Sequence, residues 1–244
     1  MANILLLEDK LAKVMNNIKN SVPMDFGSWE DGDDEYATIE RACINAGLQY
    51  DEFSVSCGAS KVVACINGCD SVLKVPYSGV WCYQCEEVDE ETGEVIQEEN
   101  EFFEPFCGAE NSENNTDYCL SEFEKYIALK EAGLEMFFPK TEIFGECKSG
   151  YVLKQEKVIT WYDAEEKQSS EDSKNKAKNN YLGFGAPKAW IALAIDWYGE
   201  ELVNKLAKYC KEVDGDIDSD LHYNNIGFNK EGAPIILDFS GFSS

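Results

Sequence analysis

Residues 218–241 read DSDLHYNNIGFNKEGAPIILDFSG, and the reading of this stretch decides how the rest of the chain is read. Asp220 opens a polar loop, Asn225 follows it by five positions, and Asp238 follows Asn225 by thirteen. An apolar run, Ile235-Ile236-Leu237, leads into Asp238. The pattern predicts a loop, a short strand, a turn at Glu231-Gly232 and a returning strand that ends on the aspartate. Such a path brings the Asp238 carboxylate and the Asn225 amide oxygen to one cation and leaves Asp220 to meet a hydroxyl. Carboxylate and amide oxygens are hard ligands that suit Mg2+ held together with substrate phosphates.

Composition narrows what surrounds this stretch. A chain of 244 residues has room for one substantial domain or two small ones. Its 44% apolar and 12% aromatic content argues against global disorder. The formal net charge is −26 and Arg41 is the sole arginine, which excludes an arginine cluster for phosphopeptides. So acidic a surface repels nucleic acid and anionic membrane and favours basic partners. The opening MANILLLEDK turns charged after Leu7, so neither a signal peptide nor a spanning helix is expected, and the cytoplasm is the expected location. Ten cysteines without a small-scaffold pattern fit reduced thiols. One subset, Cys65, Cys69, Cys82 and Cys85, has C-x3-C and C-x2-C spacing compatible with a tetrahedral zinc site, beside the plainer reading of ordinary thiols.

Outward from the decisive stretch, the chain reads as α+β. Ile4, Leu5, Leu7, Leu11, Val14, Met15 and Ile18 predict an amphipathic helix over 3–19, and a second helix covers 34–46 with Gly47 at its end. From Phe53 the pattern turns to β: two strands around Gly58-Ala59-Ser60, an Asn67-Gly68 turn, and a third strand carrying Lys74. Residues 77–117 read as irregular, with Glu86–Glu91 as a solvated loop. A helix opens near Asp117 and closes at Gly133, with Leu120, Phe123, Ile127 and the neighbouring Tyr126 and Leu129 as its face. Strands follow at 141–144 and from Tyr151, the latter leading into Glu156–Val158. Residues 163–180 read as a mobile polar loop. Pro187–Cys210 reads as two helices broken at Gly199, with Trp190, Leu193, Ala194, Trp197, Leu202, Leu206 and Tyr209 in the repeat.

Asp220-Leu221-His222-Tyr223-Asn224-Asn225, followed by Asp238-Phe239, resembles the catalytic and metal-binding loops of the protein-kinase-like superfamily. Ser240 stands third in the second motif, with Gly241 one place later. Ser56-x-Gly58-x-x-Lys61-x-Val63 resembles the glycine-rich loop with its middle glycine kept, and Val72-Leu73-Lys74-Val75 resembles the strand whose lysine reaches the phosphates. The likeness runs by ordered motifs over roughly 53–241 and is closest to the compact early serine/threonine protein kinases of bacteriophages. More distantly the chain is similar to aminoglycoside-phosphotransferase-type small-molecule kinases.

The resemblance implies a two-lobed fold: an N-terminal helical extension over 1–50, a sheet lobe over 51–158 with an acidic insertion at 77–117, and a reduced helical lobe over 159–244. It implies that Asp220 orients or deprotonates the acceptor hydroxyl, supported by His222, while Asn225 and Asp238 hold Mg2+. Lys74, paired with Glu122 (Glu124 in reserve), steadies the phosphates of ATP. Gly58, Ser60 and Lys61 cover them, and Glu156 and Val158 flank the nucleotide at the hinge. Ser219 stands where these kinases carry an arginine, so control by a phosphate on an activation loop is not expected. The chain ends six residues past Asp238, so a shortened substrate platform is expected. Three functions fit: a protein kinase acting on a protein substrate such as a basic host protein, a small-molecule kinase, and a non-catalytic pseudokinase or acidic mimic of nucleic acid.

Overall fold

The computed structural model describes residues 2–20, 34–57, 61–76, 79–83, 87–88, 95–96, 101–105, 118–147, 149–165 and 167–239. Gly58, Ser60 and Cys85 lie outside the described residues. The chain is α+β and divides into two compact units: Met1–Leu120 with Ile143–Leu153, and Ser121–Glu142 with Lys154–Ser244. No described helix is long and apolar enough to cross a membrane.

In the first unit, α1 (Ala2–Lys19) buries Leu11, Val14, Met15 and Ile18, one helical stripe, as the spacing predicts. The second helix, α2 (Asp34–Asn45), buries Ile39, Ala42 and Cys43 and ends before Gly47. The Asn17 amide donates to the Ala42 carbonyl at 2.9 Å, and Lys10 pairs with Glu52 at 2.8 Å. Both helices share one core with strands β1 (Phe53–Cys57), β2 (Lys61–Ile66) and β3 (Ser71–Pro76). These strands form an antiparallel meander in which Val55 faces Ala64 and Val63 faces Lys74. Its second turn is Asn67-Gly68, where Gly68 has φ +84°, so the predicted hairpin forms where its turn residues place it.

Residues 77–117 carry more order than expected. Strand β4 (Gly79–Tyr83) pairs with β7 (Glu101–Pro105), and β5 (Glu87–Val88) pairs with β6 (Val95–Ile96), both antiparallel. Trp81 stands across from Phe103 and Cys82 from Phe102, and the strand formers Val80, Trp81, Tyr83, Phe102 and Phe103 prevail over the acidic residues Glu101 and Glu104 in the same pair. Helix α3 (Tyr118–Glu131) follows the insertion. Then β8 (Thr141–Cys147) and β9 (Gly150–Glu156) complete a five-stranded sheet in the order β1-β2-β3-β9-β8. Helix α3 turns part of the predicted face inward, Tyr126 and Leu129, but leaves Leu120 and Phe123 half-buried and Ile127 exposed. Cys119, Glu122, Tyr126 and Leu129 are buried, while Ile127 is 37% exposed. A carboxylate occupies a position that an apolar-only pattern assigns to leucine or isoleucine.

In the second unit, β10 (Ile159–Thr160) precedes α4 (Glu171–Asn180), which stands where a loop was expected. Ser170 caps it by accepting from the Ser173 amide at 3.2 Å. The Asp196 carboxylate then accepts from the Ser170 amide at 2.7 Å and from the Ser170 and Ser173 hydroxyls at 2.8 and 2.6 Å. Polar composition hid a helix that hydrogen bonds rather than apolar burial hold in place. The core helix α5 (Lys188–Tyr198) is buried continuously from Trp190 to Ile195, although Trp197 is 52% exposed, contrary to its place in the apolar repeat. Gly199, at φ +87°, breaks the helical path before α6 (Glu200–Glu212), which buries Val203, Leu206 and Cys210. After the short α7 (Gly215–Ser219), β11 (Ile226–Phe228) and β12 (Pro234–Ile236) form the hairpin read from the sequence.

Candidate functional site

The loop between α7 and β11 is held by its own side chains. The Asn225 amide nitrogen donates to the Asp220 carbonyl at 3.0 Å and to Asp220 Oδ2 at 2.9 Å. His222 Nδ1 accepts from the Asn224 amide at 3.2 Å, and its Nε2 lies 3.3 Å from Asn225 Nδ2 and 3.5 Å from Asp220 Oδ1. A 3-10 turn over Tyr223–Asn225 closes the loop, and the Asn225 amide N–H donates to the His222 carbonyl at 2.9 Å. Asp220, His222 and Asn225, expected to act together, therefore form one constellation. The Asp220 side chain keeps 31% of its exposure, and its carboxylate is oriented while still reachable from solvent.

The hairpin then returns to this loop. Asn229 fixes the turn: its side-chain oxygen accepts from the Ala233 amide at 2.9 Å and its backbone N–H donates to the Ala233 carbonyl at 3.0 Å. Strand β12 is buried throughout, and just past it the Leu237 amide donates to the Asn225 carbonyl at 2.8 Å. That bond places Asp238 one residue beyond a contact with Asn225, so two oxygen donors thirteen positions apart in sequence become neighbours in the backbone. Phe239 anchors the other side, fully buried with its ring edge-on to Phe138 at 4.9 Å. Gly227 has no room for a side chain, since a Cβ there would lie 2.2 Å from the Ile159 carbonyl oxygen. Strand β10 can approach β11 only because that position is glycine. Trp161 lies over Tyr223 and Phe228, each 5.5 Å away between ring centres, and forms an aromatic wall beside the loop that the sequence reading missed.

The remaining expected site residues lie as follows. Lys74 sits in the middle strand of the five-stranded sheet and is 6% exposed, and Lys61 opens β2 and is 3% exposed. Lysines so placed on strands are uncommon, because an ammonium is costly to desolvate. The Lys74 carbonyl accepts from the Cys119 thiol at 3.7 Å. Glu122 is fully buried and accepts from the Gln155 amide at 2.7 Å. Gln155 also donates to the Thr141 hydroxyl at 2.9 Å, which in turn donates to the Pro139 carbonyl. Gln155 and Thr141 went unnoticed in the sequence; the available signal is a glutamine on the same inward strand face as Leu153. Glu124, by contrast, is exposed. Glu156 ends β9, its amide donating to the Lys140 carbonyl at 2.8 Å, and the Val158 methyl packs over Gly227.

Cys65 and Cys69 are free thiols, half-buried and buried. No group of three or more metal-ligating side chains occurs among the described residues, and Cys85 of the expected set lies outside them. Burial raises the thiols of Cys43 and Cys210 to about 12, which removes them from thiolate chemistry near neutral pH. No model of a known protein family matches the sequence, and no curated protein matches it either.

Proposed function

We propose that this protein is an ATP- and Mg2+-dependent phosphotransferase with a protein-kinase-like fold, acting on a serine or threonine hydroxyl of a protein substrate. The observation that carries the reading is the tie between loop and hairpin: Asn225 Nδ2 on Asp220, and the Leu237 amide on the Asn225 carbonyl. With the Asn225 amide nitrogen turned toward Asp220, Oδ1 is the side-chain atom that Asn225 offers a cation, and Asp238, next to Leu237 in the chain, offers a carboxylate. This pair of hard oxygens fits Mg2+, which keeps several waters and shares its remaining ligands with phosphates. When bound, Mg2+ neutralises charge on the phosphates.

The chain's own residues supply position. Asp220, steered by Asn225 and His222, accepts the hydrogen bond of the acceptor hydroxyl and takes its proton as the oxygen bonds to the γ-phosphorus. The bond from that phosphorus to the bridging oxygen breaks, and ADP leaves with the electron pair. Lys74 acts on the phosphates of the nucleotide, and its burial strengthens that charge interaction. Few side chains are needed, because catalysis of this kind is positioning and charge neutralisation. The test is transfer of labelled phosphate from ATP to protein in the presence of Mg2+, comparing the native chain with Asp220→Ala. Label on protein that disappears in the variant supports the assignment, and equal labelling by both proteins overturns it.

A further inference from the structure

The second unit holds a pocket of about 460 Å3 that the loop and hairpin chemistry does not use. A pocket of this size belongs to the class that takes small ligands or single side chains. Three carboxylates line it, Glu135, Glu156 and Glu231, against one ammonium, Lys140. None of the three forms an ion pair with a lysine or arginine among the described residues. Glu135 Oε2 is buried and has no hydrogen-bond donor. A buried carboxylate oxygen without a donor is costly, and an incoming N–H group relieves that cost.

Aromatic rings make the rest of the wall. Tyr126 and Tyr198 lie inside, and burial raises both phenols above their ordinary range. The charges of Glu135 and Glu156 push Tyr126 further, and that of Glu156 pushes Tyr198. The wall is rigid. The Tyr198 hydroxyl lies 2.8 Å from the Met136 carbonyl and 3.0 Å from the Pro234 carbonyl, and its ring packs on Phe137 at 4.4 Å. Trp197, half-exposed just past the buried run Trp190–Ile195 of α5, lines the same pocket. Exposed tryptophan beside unpaired carboxylates is the combination that binds a cation: the ring faces attract it and the carboxylates accept its protons.

We propose that this pocket receives an arginine side chain presented by a basic partner protein. The planar guanidinium offers several donors in one plane, which suits two carboxylates at once and stacks on an aromatic face. The net charge of −26 draws basic polypeptides toward the chain, and the pocket gives that attraction a specific seat. Glu156 is the one lining residue that the kinase resemblance also sets beside the nucleotide; the inference rests on the pocket's own lining and not on phosphate transfer.

The test uses the full chain and a labelled arginine–glycine repeat peptide, with its citrulline counterpart as the neutral isostere and spermidine as a free-amine competitor. At physiological ionic strength the arginine peptide binds and the citrulline peptide does not. Glu156→Gln and Trp197→Ala each weaken binding by about tenfold, the scale of one charged hydrogen bond or one cation–π contact. Glu231→Gln, on an exposed turn residue, weakens it too and serves as the check if Glu156→Gln lowers the melting temperature. Glu171→Gln removes one charge from the surface of α4 and leaves binding within about twofold. Equal loss from Glu171→Gln and Glu156→Gln makes the attraction diffuse and overturns the proposal, as does equal binding of the citrulline peptide. Displacement by spermidine at lower concentration than the peptide itself requires makes a free polyamine the occupant, and overturns the assignment to a protein side chain.

Discussion

Replacing Asn225 with aspartate tests the loop geometry through a change of one heavy atom. Asn225 Nδ2 donates to Asp220 Oδ2 at 2.9 Å, so Asn225→Asp sets one carboxylate against another at nearly that distance. Two unit charges about 3 Å apart repel by roughly 5 kcal/mol at an effective dielectric of about 20 and by roughly 1.4 kcal/mol in water. The Asp220 side chain is 31% exposed, so the repulsion lies between these limits. Uptake of a proton by one of the two groups caps it, which leaves a penalty of about 2 kcal/mol at neutral pH. Asn225→Ala loses only the hydrogen bonds, a further cost of about 1.5–3 kcal/mol that both variants share. The expected order of stability without metal is native, then Asn225→Ala, then Asn225→Asp. The shared proton raises a carboxyl pKa in the folded state of the aspartate variant. Its penalty is therefore present above that raised value and fades as pH falls through it. Added Mg2+ narrows the gap in the same way, because a cation between two carboxylates replaces repulsion with coordination. Urea unfolding followed by tryptophan fluorescence reads the order directly, since Trp161, Trp190 and Trp197 all lie in the second unit. An aspartate variant as stable as the native chain, at neutral pH without metal, refutes the reasoning about the Asp220–Asn225 contact.

Two further outcomes follow from the structure. Phe239→Ala empties a fully buried site against Phe138 and costs about 3–5 kcal/mol, visible as a drop of the urea midpoint on the order of 2 M; a loss under about 1 kcal/mol contradicts the packing described. Burial opposes ionisation of Asp196, but its hydrogen bonds from Ser173 and Ser170, with Lys176 nearby, outweigh burial and hold its carboxyl below the ordinary range. Its stabilising contribution is complete above the unfolded value of about 3.9 and disappears as pH falls through the lower folded value, so amides of α4 lose hydrogen-exchange protection there while those of α5 keep theirs. Asp196→Asn removes that acid dependence; exchange in α4 that is independent of pH in the native chain contradicts the docking by Asp196.

What was legible in the sequence is what local chemistry determines. The Asn67-Gly68 turn, the alternation around it and the broken helix at Gly199 all depend on residues a few positions apart, and all formed where read. The hairpin of the Asp220–Asp238 stretch also forms where its turn residues and apolar run set it, although β12 ends at Ile236, two residues short of the expected aspartate. Helix α4 was illegible because its anchor, Asp196, lies more than twenty positions away and only Ser173 and Ala177 are buried. Glu122 shows the opposite difficulty. Periodicity sorts residues by polarity, and the buried face of α3 contains a carboxylate because Gln155 supplies its partner from another strand. Trp197 misled for a related reason: an apolar ring at a helical position was read as core, whereas it lines a pocket with carboxylates.

In the proposed reaction Asp220 acts on the acceptor hydroxyl and the nucleotide is held by other groups. One paired measurement on Asp220→Ala examines it most directly: thermal stabilisation by MgATP, and transfer of labelled phosphate from ATP to protein. The account predicts that stabilisation stays close to native, roughly 2.7 kcal/mol at a hundredfold excess over Kd. Transfer falls by about 10²–10⁴, because Asp220 is needed only as the hydroxyl reacts. Transfer at the native rate in Asp220→Ala, or no stabilisation of the native chain by MgATP at any concentration, contradicts it.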